Sequence, residues 1–214
     1  MQASQLKRGR PALSAAPQGQ VSRILDVAEE LTQKRGFNGF SYADIAEPLQ
    51  VTKASLHYHF PSKTDLGRAL IERYHASFSR ALDDIDRDAR GAADKLRRYA
   101  ALYDSVMKND RLCLCGMLAA EFATLPAPMQ QALTAFFDLN ERWLAAVLKD
   151  GRSGGALDFR DSPADRARIL LGALEGAMLV ARSYGDEKRF RAAANQLLED
   201  LGSGPRVKPR RASK

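Results

Sequence analysis

Two stretches of the chain carry side chains whose types and spacing can do chemistry. The first runs from Ser41 to Lys63 and brings together Ser41, Thr52, Lys53, Ala54, Ser55, His57, Tyr58, His59 and Lys63. These are hydroxyl, ammonium, imidazole and phenol donors, interleaved with one small residue. At 100° per residue, Leu56 and Phe60 fall on one side of a short helix, and Lys53, Ala54, His57 and Tyr58 on the other. The first pair can anchor the helix to a core. The second set can face a DNA major groove, which is wide enough to admit one helix. The second stretch holds the chain's two cysteines, Cys113 and Cys115. One intervening residue is too few for an easy intrachain disulfide. Two thiols without a nearby His or a further Cys make a poor zinc site. Thiol nucleophilicity is the chemistry left to them.

The elements around these stretches read as helices. Val21, Ile24, Leu25, Ala28 and Leu31 recur at helical spacing, and Gly36 stops that helix. Ser41-x-x-Asp44 has the form of a capping box, with Asp in place of the usual Glu or Gln. Thr52 is placed to cap a very short third helix ending near His59. Ser62, with Asp65 three residues on, opens a fourth, whose Leu66, Leu70, Tyr74 and Phe78 share one face. Helices are predicted over 92–107, 115–124, 128–149, 163–184 and 187–201. Ser162-Pro163-x-Asp165 starts the fourth of these, and Gly151, Gly154 and Gly155 mark a turn after the long helix bearing Trp143. No segment alternates as a strand would. The expected fold is all-α: a three-helix helix-turn-helix domain at 20–67 and a second helical domain at 68–202. A basic arm (1–19) and a basic tail (203–214) are expected to be disordered.

The net charge of +7 is unevenly spread. The last ten residues hold five cations and no anion, and the first third is also basic, which suits a polyanionic partner. No apolar run approaches the length of a membrane span, and the polar N-terminus lacks a secretory h-region, so the expected compartment is the cytoplasm.

The ordered string Phe40-Ser41-Tyr42-Ala43-Asp44-Ile45-Ala46, Val51-Thr52, then Leu56-His57-Tyr58-His59-Phe60 and Ser62-Lys63 resembles the TetR family of repressors. The likeness covers about residues 21–70. It departs at Gln50, where the family places a turn Gly, at Pro48 near the end of the second helix, and at His57, where Tyr is usual. The resemblance implies a homodimer reading a palindromic operator in double-stranded DNA, released by a small-molecule or electrophilic effector, with 68–202 as the regulatory and dimerisation domain. Thr52 and Lys63 are expected on phosphates and Lys53 near guanine. His57 and Tyr58 are expected on phosphate or a thymine methyl, with Ala54 and Ser55 allowing close approach. Arg8 and Arg10 either enter a minor groove or only solubilise the arm. The last two large helices, about 163–201, are expected to form the dimer face. The stripe Leu170, Leu171, Leu174, Met178 and Ala181 belongs either to that face or to the chain's own core. Tyr103, Met107, Met117, Phe122, Phe136, Phe137 and Trp143 are large enough to line an apolar ligand site or to fill a core.

The run from Cys113 to Glu121 resembles the Cys-Leu-x-x-x-Leu-x-x-Glu element of TetR relatives that sense reactive electrophiles or oxidants. Arg111 and the start of the following helix are expected to lower the Cys113 thiol pKa. The alternative is an inert core thiol. An enzyme reading finds little support: a thiol enzyme needs a base beside Cys113, yet His57, His59 and His75 lie in or next to the DNA-reading part. No phosphate loop, dinucleotide glycine motif or metal spacing is present, so no catalytic residue, cofactor or metal is expected. An activator, or a regulator controlled by a protein partner without a thiol switch, remains the alternative function.

Overall fold

The computed structural model describes residues 17–202; the arm bearing Arg8 and Arg10 and the tail 203–214 lie outside the described residues. The described residues form nine α-helices: α1 (Pro17–Arg35), α2 (Tyr42–Leu49), α3 (Lys53–His59), α4 (Lys63–Asp88), α5 (Ala92–Met107), α6 (Leu114–Ala120), α7 (Ala127–Ser153), α8 (Pro163–Ser183) and α9 (Glu187–Glu199). A 3₁₀ turn, Phe122–Thr124, follows α6. Among the described residues there is no strand, only one isolated bridge between Leu157 and Gly202. None of their helices is long and apolar enough to cross a membrane.

Local chemistry accounts for the helix starts. Ser41 and Ser62 each form the complete reciprocal capping box, with Asp44 and Asp65 reaching back to the cap amide. Asp thus serves where Glu is more usual. Thr52 and Ser162 cap α3 and α8 through their hydroxyls. The boundaries differ from expectation most in three places. The first helix begins at Pro17, four residues before its apolar periodicity does. The helix expected over 115–124 divides into α6 and the 3₁₀ turn. The long helix runs on to Ser153, because Gly151 is buried against Leu157 and Ala92 rather than turning the chain.

Helices α1 to α3 share a core of Ile24, Ala28, Phe37, Phe40, Ile45, Leu56 and Phe60 with the start of α4. Helix α4 then continues into a bundle with α5, α7, α8 and α9. In that bundle Leu170, Leu171, Leu174, Met178 and Ala181 are all buried in this chain. Of the two readings of that stripe, intrachain core is correct. The other side of α8 is the one left open: Ile169, Leu179, Val180 and Tyr184 are exposed, and a Cβ added at Gly172 or Gly176 meets nothing within 4 Å.

Candidate DNA interface and regulatory core

Helix α3 is only seven residues long, so its orientation depends on its anchors. Leu56 and Phe60 are buried as the periodicity predicted. The Tyr42 hydroxyl lies 2.8 Å from the carbonyls of both Phe60 and Ser62 and ties the end of α3 to α2. Burial pushes that phenol up to about 12, so it remains a donor at any physiological pH. Gln50 closes the α2–α3 turn in the left-handed region at φ 54°, with its amide donating to the carbonyls of Ala46 and Glu47. The turn therefore keeps the geometry that Gly would give, at some strain for a residue with a Cβ. Pro48 is held inside the last turn of α2.

The outer face of α3 carries Thr52, Lys53, Ala54, His57 and Tyr58, all exposed, with Tyr58 at 82%. His57 rests its ring 4.6 Å from that of Tyr42 and its Nδ1 lies 3.2 Å from the Pro61 carbonyl, which leaves Nε2 outward. Ser55 is half-buried and accepts a hydrogen bond from Gln20 of α1 at 2.8 Å. His59 is half-buried with its ring edge-on to Tyr58. The Ser41 hydroxyl is exposed but engaged in its own cap, 2.7 Å from Asp44. Lys63 departs from expectation. Its ammonium donates to the carbonyls of Phe37, at 2.6 Å, and Phe40, and sits over both rings. Partial burial holds its pKa below the usual lysine value. A cation so enclosed braces the α1–α2 turn, and a free phosphate contact from it is not supported.

The two cysteines are buried. The expected activation by Arg111 does not occur, because that guanidinium pairs with Glu30 of α1 at 3.0 Å. Burial instead pushes both thiols well up, and the nearby Glu175 carboxylate adds to the shift. Cys113 faces two polar groups supplied by distant helices. The Tyr74 hydroxyl of α4 donates to its sulfur at 3.7 Å. The Glu175 carboxylate of α8 lies beside it, both side chains bordering Gly116, and its charge acts on the thiol. Gly116 makes room for that carboxylate: a Cβ there would lie 2.3 Å from Glu175 Oε2. Oε1 of Glu175 is sealed from solvent with no hydrogen-bond partner.

Two further residues join the bundle to the DNA-reading helices. Glu121, just after α6, accepts the amide of Phe37 at 2.8 Å and that of Asn38 at 3.3 Å. Gly36 is required beside it, both by its φ of +81° and because a Cβ would come within 2.5 Å of Glu121 Oε1. Arg182 of α8 donates to the carbonyls of Gln33 and Lys34 at the end of α1, at 2.9 and 2.6 Å. Glu121 closes the sequence element noted above, though its spacing said nothing of its partner. The roles of Tyr74, Glu175 and Arg182 had no local signal, since each depends on contacts 39 to 149 residues away or on packing between α6 and α8.

Of the residues considered for an apolar ligand site, Tyr103, Met107 and Phe136 are fully packed core. Tyr99 hydrogen-bonds Tyr103 at 3.0 Å and Asn140 at 2.8 Å within that core. Met117, Phe137 and Trp143 are partly buried against it, and the Trp143 indole donates to Asp86 at 2.9 Å. Phe122 is 43% exposed on the 3₁₀ turn, which removes it from any interior lining. A cleft of about 200 Å³ lies instead where the end of α5 and the α5–α6 loop meet the end of α8 and the start of α9, bordered by Met107, Arg111, Ala181, Arg182 and Glu187.

A short helix presented on a buried anchor, followed by a separate helical bundle, defines a helix-turn-helix regulator. Comparison with known proteins makes this specific. Residues 24–70 match the family described as bacterial regulatory proteins, tetR family, and residues 92–197 match the tetracyclin repressor-like C-terminal domain. The chain is 31% identical to the transcriptional regulator AcuR of Cereibacter sphaeroides over 179 residues, covering 82% of this chain and 80% of AcuR. It is 27% identical to the repressor NemR of Escherichia coli K12 over 163 residues, covering 74% of this chain and 82% of NemR. A TetR-family regulator from Agrobacterium tumefaciens superposes with a TM-score of 0.85 at 32% identity, over 88% of this chain and all of that one. The chain belongs to the TetR family of transcriptional regulators. Members of this family bind DNA, typically act as dimers answering to small-molecule effectors, and are not enzymes.

Proposed function

We propose that the chain is a cytoplasmic, homodimeric repressor that leaves a palindromic operator when Cys113 is modified by a reactive compound. The observation that carries this reading is the path from the thiol to the DNA-reading helices. Cys113 caps α6, and Glu121 at the other end of that helix holds the turn between α1 and α2. A substituent on Cys113 enters the hydrophobic core, because the residue is 1% exposed. It must displace α6, and with it the Glu121 grip, which biases the spacing of the DNA heads. NemR and DhaR, both relatives named as repressors, support the direction of control.

The open face of α8 supports the dimer. Ile169, Val180 and Tyr184 expose apolar surface beside Gly172 and Gly176, which allow two helices to approach closely. A two-fold dimer carries one α3 helix per protomer, which is what a palindrome of two half-sites requires. Thr52, Lys53, Ala54, His57 and Tyr58 are the proposed contacts, with the arm bearing Arg8 and Arg10 as an added one. The division between the two domains falls near residues 67 and 68, inside α4.

The test is fluorescence anisotropy on the chain's own upstream DNA, untreated and after N-ethylmaleimide or a quinone. Specific binding that these reagents abolish, and that survives them in Cys113→Ser, is the expected result. Cys113→Ser that releases DNA as readily as the parent sinks the thiol reading. A complete lack of specific binding sinks the operator reading.

A further inference from the structure

Cys113 presents a contradiction if it is the reactive group. Its thiol is buried and held protonated, the opposite of the exposed, low-pKa setting that activates most reactive cysteines. The groups packed around it resolve the contradiction. We infer, resting on the reading of Cys113 given above, that Glu175 is the proton acceptor for the Cys113 thiol and the charge filter that selects uncharged electrophiles over anionic ones.

Two geometric features point to Glu175, beside the action of its charge on the Cys113 thiol. One carboxylate oxygen, Oε1, is sealed from solvent without a partner, an arrangement that costs stability and that an ordinary core does not retain. Gly116 is the one place on α6 where a missing side chain admits the carboxylate, at 2.3 Å from where a Cβ would stand. From the other side, the Tyr74 hydroxyl donates to the sulfur. Thus one group is set to take the proton and another to stabilise the thiolate that results.

The addition balances without an oxidant. The Cys113 proton passes to Glu175. The sulfur electron pair forms a C–S bond to the β-carbon of an activated alkene such as a maleimide or quinone. The alkene π pair moves onto the α-carbon and carbonyl as an enolate. Glu175 returns its proton to the α-carbon, which regenerates the carboxylate. An electrophile that itself carries a carboxylate must bring a second negative charge against Glu175 in a poorly screened interior, so it is disfavoured.

Burial raises the Glu175 carboxyl to about 7, which sets the pH at which the base becomes available. The titratable groups facing it are Tyr74 from α4, Tyr99 and Tyr103 from α5, and Cys113 and Cys115. All are pushed well above their ordinary values and so are uncharged near neutrality. Glu29 of α1 acts on Cys115 from the far side.

The experiment follows Cys113 labelling by peptide mass spectrometry in the full chain, over pH 5.5 to 9 as roughly the span of interest. Two probes share one warhead: N-ethylmaleimide and its carboxyethyl analogue, each normalised to its rate with glutathione. The parent is expected to label with a rate that rises through about pH 7 and levels off, and to prefer the neutral probe by about tenfold or more. In Glu175→Gln that inflection disappears, labelling at pH 8 falls about tenfold or more, and the preference collapses toward that of glutathione. Gly116→Ala, which crowds the carboxylate without removing it, is expected to fall between the two, and keeps the test decisive if Glu175→Gln folds poorly. A Gln variant that labels as fast, with the same pH profile and the same preference, overturns the inference, as does a parent whose Cys113 reacts with neither probe. Labelling that depends on Glu175 but leaves DNA binding intact upholds the inference and sinks the sensor reading instead.

Discussion

The Glu121 carboxylate accepts the Phe37 amide at 2.8 Å across 84 residues of sequence, and so fastens the end of α6 to the turn that sets the angle between α1 and α2. The same turn is held from beneath by Lys63 and from α8 by Arg182. A hydrogen bond to a charged acceptor contributes about 1.5–3 kcal/mol. Glu121→Ala is therefore expected to lower stability by about 1–3 kcal/mol in urea. It should also shrink the difference in operator affinity between untreated and alkylated protein. A variant that is equally stable and fully inducible would show that the clamp transmits nothing.

Tyr42 offers a cleaner probe of the reading head. Its hydroxyl is the shared donor to two carbonyls at the α3–α4 junction, and Phe fills the same volume. Tyr42→Phe is expected to cost about 1–2 kcal/mol of stability, because the buried hydrogen bond to the Phe60 carbonyl is lost. Operator affinity should weaken while the salt dependence of binding stays unchanged, since no phosphate contact is lost. By contrast, Lys53→Ala should reduce the slope of log affinity against log salt by about 1 if its ammonium meets a phosphate. If it reads guanine, the slope holds and discrimination at one base pair is lost. Anisotropy titrations at several salt concentrations separate these outcomes.

Much of this architecture was legible in the sequence because it is set locally. A serine with an aspartate three residues on starts α2 and α4, and the caps at Thr52 and Ser162 lie within their own first turn. The Leu56–Phe60 face of α3 follows from helical periodicity alone. What the pattern could not reveal was direction among equals. Helix α8 is apolar on two sides, and spacing does not say which side meets α7 and α9 and which is left open. Lys63 stands where a phosphate contact is expected, but Phe37 and Phe40, more than twenty residues earlier, fold over it. Arg111 likewise looked like a partner for Cys113 until Glu30 claimed it. Cys113 could be singled out by its element, whereas Glu175, on which its proposed chemistry depends, is brought to it only by the packing of α8 on α6.

Gln50 tests whether the family's turn geometry persists without its glycine. A residue with a Cβ in the left-handed region is strained by about 1–2 kcal/mol, and Gly gives back part of that gain through unfolded-state entropy. Gln50→Gly should thus raise stability by about 0.5–1 kcal/mol, and Gln50→Val should lower it by at least as much, since β-branching disfavours positive φ. Urea midpoints at constant slope would measure both. A destabilised Gly variant would mean that the Gln50 side chain makes a contact worth more than the strain.

The open face of α8 gives the prediction for assembly. Introducing a charge at Val180 (V180D), or bulk at Gly176 (G176L), alters surface that is solvent-facing in a single chain, so the fold itself should tolerate both. If two copies pair there, light scattering should show a dimer for the parent and a monomer for either variant, with operator affinity falling together with the mass. Dimeric variants would place the interface elsewhere.

The last prediction concerns stability against pH and is independent of any electrophile. The Glu175 carboxyl titrates at about 7 in the folded chain, above the value of 4.5 for an unperturbed glutamate, because burial disfavours its charge. Between those two values the folded state holds a proton that the unfolded state has released, so stability falls as pH rises through this window. Below it both states are protonated and nothing is lost; above it the full penalty is present, on the order of 3 kcal/mol. Glu175→Gln removes the penalty while keeping the shape. The variant is therefore expected to match the parent near pH 4.5, to become the more stable of the two as pH rises, and to hold a constant lead above about pH 8. Chemical denaturation across that range decides it. A parent whose stability does not fall between pH 5 and 8 relative to the variant would mean that Glu175 is ionised and well solvated in the folded chain, and its enclosed Oε1 would then have to be reached by water.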